Sequence, residues 1–493
     1  MHRMKAIVAK SVVMVFNVFF CSGFLFGEVG HRPVKVEGAP FDMPAIAEPV
    51  FPKRDFPITG YGAKPDGTKC TEAFAAAISA CNESGGGRVV VPPGVWRTGA
   101  VHLKSNCNLH LAEGATVSFT DDPADYPPVH TTWEGIECIN YSPLLYIYGC
   151  TNVAVTGKGT LAPKMDFWRT WFGRPESHIA ATGQLYHWGA TNAVMSARDL
   201  TKIPGSHMRP HLLQVNRSAN VLLDGFRTKE SPFWMIHLYH SEGCIVRNLD
   251  TYAHGHNNDG IDVDMTRNVL IENCRFDQGD DGVVLKAGRN QDAWRLARPT
   301  ENVVLRNCNF AFAGSLLAIG SELSGGVRNV WVKNCTVSDP VNLLRIKTNR
   351  RRGGFVENVW VEDLEARTIK ESVLNMTTKY YYQWAVFPDY ELRYTTVRNI
   401  NIRNVRAACA DWVFDINADE MCPAEGFRFE NIRLEAARKG FMHIVNAKNV
   451  EMKNVTLGDG PVLTYEKMAD WVPTGAPIQE FAVPESEKKR MSK

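Results

Sequence analysis

Short segments that begin with Asn and continue with β-branched or apolar residues recur along most of this chain. They start, a few tens of residues apart, at Asn220, Asn268, Asn302, Asn329, Asn358, Asn399 and Asn449. Short alternating strands punctuated by turn formers at repeated intervals are typical of a stacked β-coil, in which no single coil can bury its inward face alone. We therefore predict an all-β fold in which one long parallel β-solenoid spans residues 56–456.

Cysteines share this repeated pattern. Four of the 12 cysteines, Cys244, Cys274, Cys308 and Cys335, lie in similar local contexts at separations of 30, 34 and 27 residues. Cysteine repeated at one register of a solenoid indicates a buried column of small apolar side chains, with the neighbouring Asn bonding the turn backbone. No CxxC pair or matching His spacing indicates a metal site, and we expect no metal.

The N-terminal residues 1–26 have a basic start and then an apolar run. This pattern is typical of a secretory signal peptide and is too short for a comfortable membrane span. We predict a secreted or periplasmic protein. Lipid attachment at Cys21 is the alternative, although the bulky residues before it fit such a site poorly.

The flanks of the solenoid have their own patterns. Residues 71–84 are Ala-rich with apolar residues at helical spacing, which predicts a short helix that caps the open N-terminal end of the solenoid. Residues 27–55 are rich in Pro and are predicted to be a linker or an extended arm, and residues 457–493 a C-terminal tail. A net charge of +2 gives no reason to expect a nucleic-acid partner, and we expect a monomer.

Two short motifs carry most of the chemical information. Residues 257–260 read NNDG and residues 278–282 read QGDDG, about one coil later. Paired carboxyl groups with little bulk around them are typical of glycosidases. Asp280 and Asp281 would point to opposite faces of a regular strand, so the flanking glycines predict a bend. Two alternatives are ordinary turn-forming aspartates and a calcium site.

Together with residues 56–67, 85–94 and 103–111, these motifs resemble family 28 of the glycoside hydrolases, the polygalacturonases and their relatives. The resemblance runs from about residue 56 to residue 455. It implies a right-handed parallel β-helix that hydrolyses pectic polysaccharide with inversion and needs no cofactor. Residues 133–135 and 141–144 look like the bacterial exo-acting branch of the family.

The resemblance also assigns roles to residues. It makes Asp280 the general acid, and it makes Asp259 and Asp281 the pair that activates water. Arg345 and Lys347, which lie on one face of a strand because they are two residues apart, would bind a sugar carboxylate. The other predicted substrate-binding residues are Asn257, His237, Trp133, Glu134 and Tyr380.

One departure from the family pattern concerns a histidine. Many members carry a His one coil after the Asp pair, whereas residues 311–322 contain none here. Gly314 follows Cys308 by six residues, as Asp280 follows Cys274, so Gly314 is predicted to lie beside Asp280. The departure is compatible with an altered substrate, with reduced activity, or with replacement by another histidine: His237, His254 or His256.

Residues 165–211 are irregular and rich in aromatic side chains. They are predicted to form either a long loop over the groove or a separate packing cluster. For the whole chain we predict a pectin-degrading hydrolase. Two alternatives are a glycan-binding protein that has lost activity on the same scaffold, and a calcium-dependent pectate lyase.

Overall fold

The computed structural model describes residues 29–380, 391–458 and 463–468. The predicted signal peptide and Cys21 lie outside these residues. The helices are α1 (Thr71–Glu83), α2 (Glu176–Thr191) and α3 (Asn290–Leu296).

The strands before the first long insertion are β1 (Gly30–Val34), β2 (Ile46–Val50), β3 (Asp55–Pro57), β4 (Gly87–Val91), β5 (Gly94–Thr98), β6 (Val101–Leu103), β7 (Cys107–Leu111), β8 (Ala115–Phe119), β9 (Pro128–Trp133), β10 (Ile136–Tyr141), β11 (Leu145–Tyr148), β12 (Thr151–Gly157) and β13 (Thr160–Pro163). The strands of the middle part are β14 (Leu213–Asn216), β15 (Ala219–Asp224), β16 (Arg227–Lys229), β17 (Ile236–Tyr239), β18 (Glu242–Arg247), β19 (Asp250–Ala253), β20 (Ile261–Asp264), β21 (Arg267–Glu272), β22 (Arg275–Gln278), β23 (Val283–Lys286), β24 (Thr300–Arg306), β25 (Asn309–Phe312) and β26 (Ser315–Gly320). The strands of the C-terminal part are β27 (Val327–Val337), β28 (Asn342–Lys347), β29 (Phe355–Thr368), β30 (Ser372–Thr377), β31 (Thr396–Asn417), β32 (Ala424–Val445), β33 (Ala447–Leu457) and β34 (Leu463–Met468).

Each coil from β6 to β25 adds one parallel strand to each of three columns, and the longer strands of later coils, such as β27 and β31, run through more than one column. One column, which we call the floor strands, consists of β6, β11, β14, β17, β20, β23, β26, β28 and β30. Crossovers between parallel strands are right-handed in nearly all proteins. The predicted all-β, right-handed parallel β-helix with an N-terminal helix is confirmed.

The core of the solenoid comes from strand alternation. In β28, for example, Leu344 and Ile346 are buried, while Arg345 and Lys347 lie on the outer face. The inward side chains of successive coils stack into one continuous apolar cluster that runs from Ile58 to Val455. The inward column is what stabilises the stack, because each coil buries its apolar face against the next.

The N-terminal end of this core is covered by α1. Phe74, Ile78 and Cys81 face the core and are buried. The helix therefore shields the apolar cross-section of the first coil from water, as the helical spacing of residues 71–84 predicts.

Both flanking segments pack on the solenoid where they are described. The predicted linker or arm contains the antiparallel hairpin β1–β2, and Val36 and Ile46 pack on the outside of the solenoid against Leu222 and Ile245. In the predicted tail, β34 pairs antiparallel with β33 of the last coil.

The recurring Asn side chains form a ladder along one corner. Asn302 Nδ2 donates to Asn268 Oδ1 (2.9 Å), and Asn329 Nδ2 donates to Asn302 Oδ1 (3.0 Å). The ladder continues through Asn358 and Asn399. The Asn residues that precede the cysteines were expected to bond the turn backbone, but Asn334 Nδ2 donates to Asn307 Oδ1 (2.8 Å), the equivalent amide of the preceding coil.

The cysteine column is shorter than expected. Cys274, Cys308 and Cys335 are buried and stacked, with the Cys274 backbone N–H 3.4 Å from Cys308 Sγ. Cys244 instead lies within β18, in register with Val269. The difference follows from the local sequence, since Cys244 follows Gly243 and lacks the preceding Asn of the other three. All 11 cysteines among the described residues are free thiols.

Replacing Asn302 tests the ladder. Asn302 has a φ of 58° and both gives and receives a ladder bond. We expect Asn302→Ala to lower the free energy of unfolding by about 2–3 kcal/mol, from a strained left-handed backbone and lost hydrogen bonds. Asn302→Gly is the matched control, because glycine adopts this φ without strain and should cost less. Denaturant unfolding measures both, and equal losses would rule out the backbone contribution.

Candidate active site

A pocket of about 170 Å³ opens above the floor strands β20, β23, β26 and β28. Six of the predicted site residues line it together with the predicted acid Asp280: Glu134, Asn257, Asp259, Arg345, Lys347 and Tyr380. Asp281 is buried behind Asp280 and bonds Lys347. The structure thus brings together residues that are up to 246 positions apart in sequence, from Glu134 to Tyr380.

Two predicted substrate-binding residues do not reach this pocket. Trp133 is buried and stacks on Phe233, with ring centroids 4.2 Å apart. His237 has no exposed surface, because it packs between His211 and the carboxylate of Asp264. Burial, and then the charge of Lys286, lower the pKa of His237 to about 3, so the ring is neutral. The expectation that Trp133 and His237 contact substrate is therefore corrected, since both are buried packing residues that do not line the pocket.

The predicted catalytic carboxyl groups lie in loops that stack on one another just before the floor strands. Gly260 N donates to the backbone oxygen of Asp281 (3.0 Å), so the 257–260 loop lies directly beside the 278–282 loop. As predicted, the Asp pair lies in a bend between β22 and β23. A Cβ at Gly282 would lie 2.5 Å from the Phe310 ring, so only glycine allows this close stacking.

The surroundings of Asp281 favour the ionised form of its side chain. Burial by itself would raise the pKa of Asp281, but the charges of Lys347 and Arg345 outweigh it and lower that pKa below its usual value. Lys347 Nζ also donates to Asp281 Oδ2 at 3.0 Å. The Asp281 side chain therefore favours its ionised form more than an ordinary aspartate does.

The surroundings of Asp280 and Asp259 favour the protonated form of both side chains. Burial, and then the negative charge of Asp281, raise the pKa of Asp280. Burial, followed by the neighbouring Asp280 and Asp262, raises the pKa of Asp259 well above its usual value. Crowding three carboxyl groups thus separates them into one ionised group and two that favour the proton.

The predicted position of Gly314 agrees with the structure. Gly314 N donates to the Asp280 backbone oxygen at 2.7 Å, so Gly314 lies where a residue beside the acid should be. None of the described residues that line the pocket is a histidine. His254 instead bonds Asp277 (2.7 Å), and His256 has a pKa of about 4, mainly through burial. Neither histidine, nor His237, takes the place beside Asp280.

Adding a methyl group at Gly314 tests how tightly Asp281 is placed. A Cβ at this position would lie 3.0 Å from Asp281 Oδ1 and 3.2 Å from the Asp280 backbone carbon. We expect Gly314→Ala to lower kcat about tenfold or more, because small displacements of a catalytic group are costly. Steady-state kinetics and thermal unfolding, with Gly173→Ala as the control at a position with free space, measure the effect. An unchanged kcat would show that the Asp281 position is not critical.

Four residues that border the pocket were missed from the sequence: Trp234, Lys286, Ser321 and Glu322. Lys286 Nζ bonds Glu322 Oε2 at 3.0 Å and lies over the Trp234 ring, 4.4 Å from its centroid. Glu322 Oε1 also accepts from Arg289 at 2.5 Å. These side chains form a buried ionic network, and the only sequence signal for it was the outward position of Lys286 on β23.

The hairpin β9–β10 closes one end of the pocket. Arg289 pins its tip, donating through Nη2 to Glu134 Oε2 (3.0 Å) and through N to Gly135 O (2.9 Å). Behind the tip, Thr131 Oγ1 donates to Gln214 on β14, and Tyr239 on β17 donates to Glu137. The hairpin therefore covers the floor strands that precede β20.

The aromatic segment supports this hairpin rather than facing the pocket. Residues 176–191 form α2, so the expectation of an irregular loop is wrong for this part. Buried residues recur at helical spacing, from His178 through Leu185 to Gly189, and this spacing was the signal that we missed. Tyr186 is buried in a separate cluster with Trp133 and Leu185, as expected for the packing-cluster alternative, and accepts a hydrogen bond from Arg289. Trp168 instead belongs to the core of the solenoid.

In the described part of the chain, no group of three or more His, Cys, Asp or Glu side chains is arranged to hold a metal ion. None of the helices in that part of the chain has the length and apolar character needed to cross a membrane.

Comparison with known proteins identifies the family. The family model described as glycosyl hydrolases family 28 matches residues 178–463, more than half of the chain. A probable polygalacturonase of Vitis vinifera is 26% identical over 402 residues, which are 78% of this chain and 74% of that protein. An exo-poly-alpha-D-galacturonosidase of Dickeya chrysanthemi is 27% identical over 345 residues, covering 66% of this chain and 57% of that protein.

A solved structure resembles the chain more fully. The crystal structure of a hyperthermoactive exopolygalacturonase from Thermotoga maritima is 34% identical, with a TM-score of 0.78, and the match covers 87% of this chain and 96% of that one. The similarity to these exo-acting proteins confirms the resemblance to the bacterial exo-type branch. The chain is a glycoside hydrolase, and it belongs to family 28 of the glycosyl hydrolases.

Proposed function

We propose that this protein removes terminal galacturonate units from pectic polysaccharide by an inverting general acid/base mechanism. The observation that carries the proposal is the split in protonation between the neighbours Asp280 and Asp281. An inverting glycosidase needs a protonated acid on the leaving oxygen and an ionised carboxylate that activates water on the other face of the sugar. A raised pKa at Asp280 and a lowered pKa at Asp281 meet these two needs.

In this mechanism Asp280 donates its proton to the glycosidic oxygen as the bond to the anomeric carbon breaks. Asp281, with Asp259 beside it, holds a water molecule and takes up its proton as the water oxygen attacks that carbon. Arg345 and Lys347 neutralise the carboxylate of the sugar that leaves. The Arg345 guanidinium also lies 5.7 Å from the centroid of the Tyr380 ring, which gives a flat apolar surface beside that sugar.

The exo mode of action is supported by the closed end of the pocket. Because the hairpin β9–β10 covers β14 and β17 and its tip is held by Arg289, a polymer has little room to continue past Glu134. Arg345 and Lys347 lie at the other end, on β28, two coils beyond the strand that follows the Asp pair. The terminal sugar of the polymer would lie at the closed end of the pocket, and the rest of the polymer would extend towards β28.

We also propose export to the periplasm or the medium. The basic and apolar pattern of residues 1–26 supports it, and so does a polymeric substrate too large to enter a cell. Recovery of a full-length, unprocessed N-terminus from the cytoplasm of the native host would count against export.

Product analysis tests the proposed activity. The protein is incubated with homogalacturonan, with rhamnogalacturonan and with reduced-end trigalacturonide, with and without chelator. We expect galacturonate to accumulate from the first minutes while polymer length falls slowly, and we expect proton NMR to show the β-anomer first. An ultraviolet-absorbing unsaturated product that disappears with chelator would indicate a lyase, and tight binding without any product would indicate a glycan-binding protein.

A further inference from the structure

The two ends of the pocket differ in charge. At the β28 end, two cations, Arg345 and Lys347, face one ionised carboxylate, Asp281. At the closed end, Lys286 and Arg289 both pair with Glu322, Arg289 also pairs with Glu134, and the buried Arg352 lies near the same two carboxylates. The cations at the β28 end therefore suit a sugar carboxylate, whereas Lys286 and Arg289 at the closed end are already paired with carboxylates of the protein.

The closed end nevertheless keeps hydrogen-bonding capacity. The Lys286 ammonium has three donors and bonds Glu322 at 3.0 Å, with the carboxylate of Asp262 at 3.6 Å. The Glu322 carboxylate accepts from Lys286, Arg289 and Ser321, and a carboxylate has about four acceptor positions. An ion pair of this kind presents a donor and an acceptor side by side, which is the pattern that a sugar hydroxyl complements.

Both partners are buried but border the pocket. Lys286 and Glu322 are each 4% exposed, so a ligand group that reaches them leaves water. Trp234 lies under the Lys286 ammonium and fixes its position. Because buried polar groups left without a partner are costly, a site of this kind discriminates strongly against a ligand that lacks the matching hydroxyl.

Resting on the proposed exo-acting function, we propose that Lys286 and Glu322 are specificity-determining residues that bind the free 4-hydroxyl of the terminal sugar. In a 1,4-linked galacturonan this hydroxyl is free only on the non-reducing terminal unit, because every other unit carries a glycosidic bond there. Recognition of the 4-hydroxyl at the closed end of the pocket therefore selects the chain end by hydrogen bonding, in addition to the steric barrier of the hairpin.

The test compares two trigalacturonides that differ only at the non-reducing sugar, which carries its 4-hydroxyl in one and is 4-deoxy in the other. We expect the wild-type protein to prefer the parent trimer by about 10- to 100-fold in kcat/KM, the effect of one buried unmatched polar group. In Glu322→Gln and Lys286→Arg this preference should fall to a few-fold, because the donor and acceptor pattern is altered.

The matched control is Glu301→Gln. Glu301 pairs with Arg328 at 2.6 Å in the next column of strands and lies away from the pocket, so the preference should stay at the wild-type value. Thermal unfolding identifies variants that lose the fold, and Lys286→Arg keeps the charge if Glu322→Gln proves too destabilising.

The outcomes separate the two proposals. If the wild-type protein cleaves neither trimer, the proposed function fails. If it cleaves both equally well, or if folded variants keep the wild-type preference, then the Lys286–Glu322 pair only stabilises the fold and the inference is overturned.

Discussion

Replacing Asp280 with Asn is expected to lower kcat by about 10²–10⁴, the usual contribution of a general acid, while substrate affinity changes little. The amide keeps the shape of the side chain but has no proton of suitable acidity for the glycosidic oxygen. It also removes a group whose pKa is raised by burial and by the adjacent Asp281, so the substitution should not destabilise the site. Steady-state kinetics on trigalacturonide and calorimetric binding of the same sugar measure the two effects.

A change of leaving group separates an acid from a base. An aryl galacturonide with an acidic phenol as leaving group does not need protonation, so Asp280→Asn should regain most of its lost rate on it, whereas Asp281→Asn should not. Asp277→Asn is the control, since Asp277 lies on β22 of the same coil, pairs with His254 and does not border the pocket. If the aryl substrate fails to rescue Asp280→Asn, Asp280 is not the general acid.

Replacing Lys347 with Gln is expected to shift the pH dependence of activity upward. Lys347 lowers the pKa of Asp281, and it also acts to lower that of Asp280. Asp281 must be ionised for activity, so a higher pKa moves the acidic limb of the profile to higher pH. Asp280 must be protonated, so a higher pKa moves the basic limb in the same direction.

The same substitution should reduce kcat/KM by at least about tenfold, because it leaves the Asp281 charge buried with less compensation and removes a cation from the sugar carboxylate. The profile of kcat/KM against pH measures both effects. Lys333→Gln is the control, since Lys333 contacts Asp363 at 3.9 Å and the Trp331 ring at 5.2 Å and does not border the pocket. If kcat/KM falls at every pH while the acidic and basic limbs stay at the same pH, Lys347 does not set the protonation of the Asp pair.

The repeating part of the structure could be predicted from the sequence. Strand alternation around residues such as Ile346, and the helical spacing of Phe74, Ile78 and Cys81, depend on near neighbours in the chain, so local patterns sufficed. The position of Gly314 beside Asp280 could also be predicted, because counting from the cysteine column gives the register. The catalytic and binding roles of the Asp, Arg and Lys residues stay predictions until the experiments above are done.

The closed end of the pocket could not be predicted in the same way. Glu134 meets Arg289 across 155 positions, through a hairpin that departs from the coil and returns to it. The hairpin is not part of the repeat, so counting coils cannot show which strands it contacts. The same limitation misled the interpretation of Trp133 and His237: Trp133 belongs to the hairpin and packs on Phe233, and His237 is buried on β17, which the hairpin covers.

The stacking of loops on adjoining coils has a consequence for how the enzyme keeps its catalytic spacing. Asp259 and the Asp280–Asp281 pair precede β20 and β23, which are hydrogen-bonded neighbours, and the register Ile261↔Val283 places Asp259 opposite Asp281, one backbone step of about 4.8 Å away. The strand spacing of the solenoid therefore fixes the distance between the loops of neighbouring coils. Side-chain substitutions in the pocket change which ligand fits, whereas only the insertion, deletion or register shift of a whole coil can change the spacing between the loops.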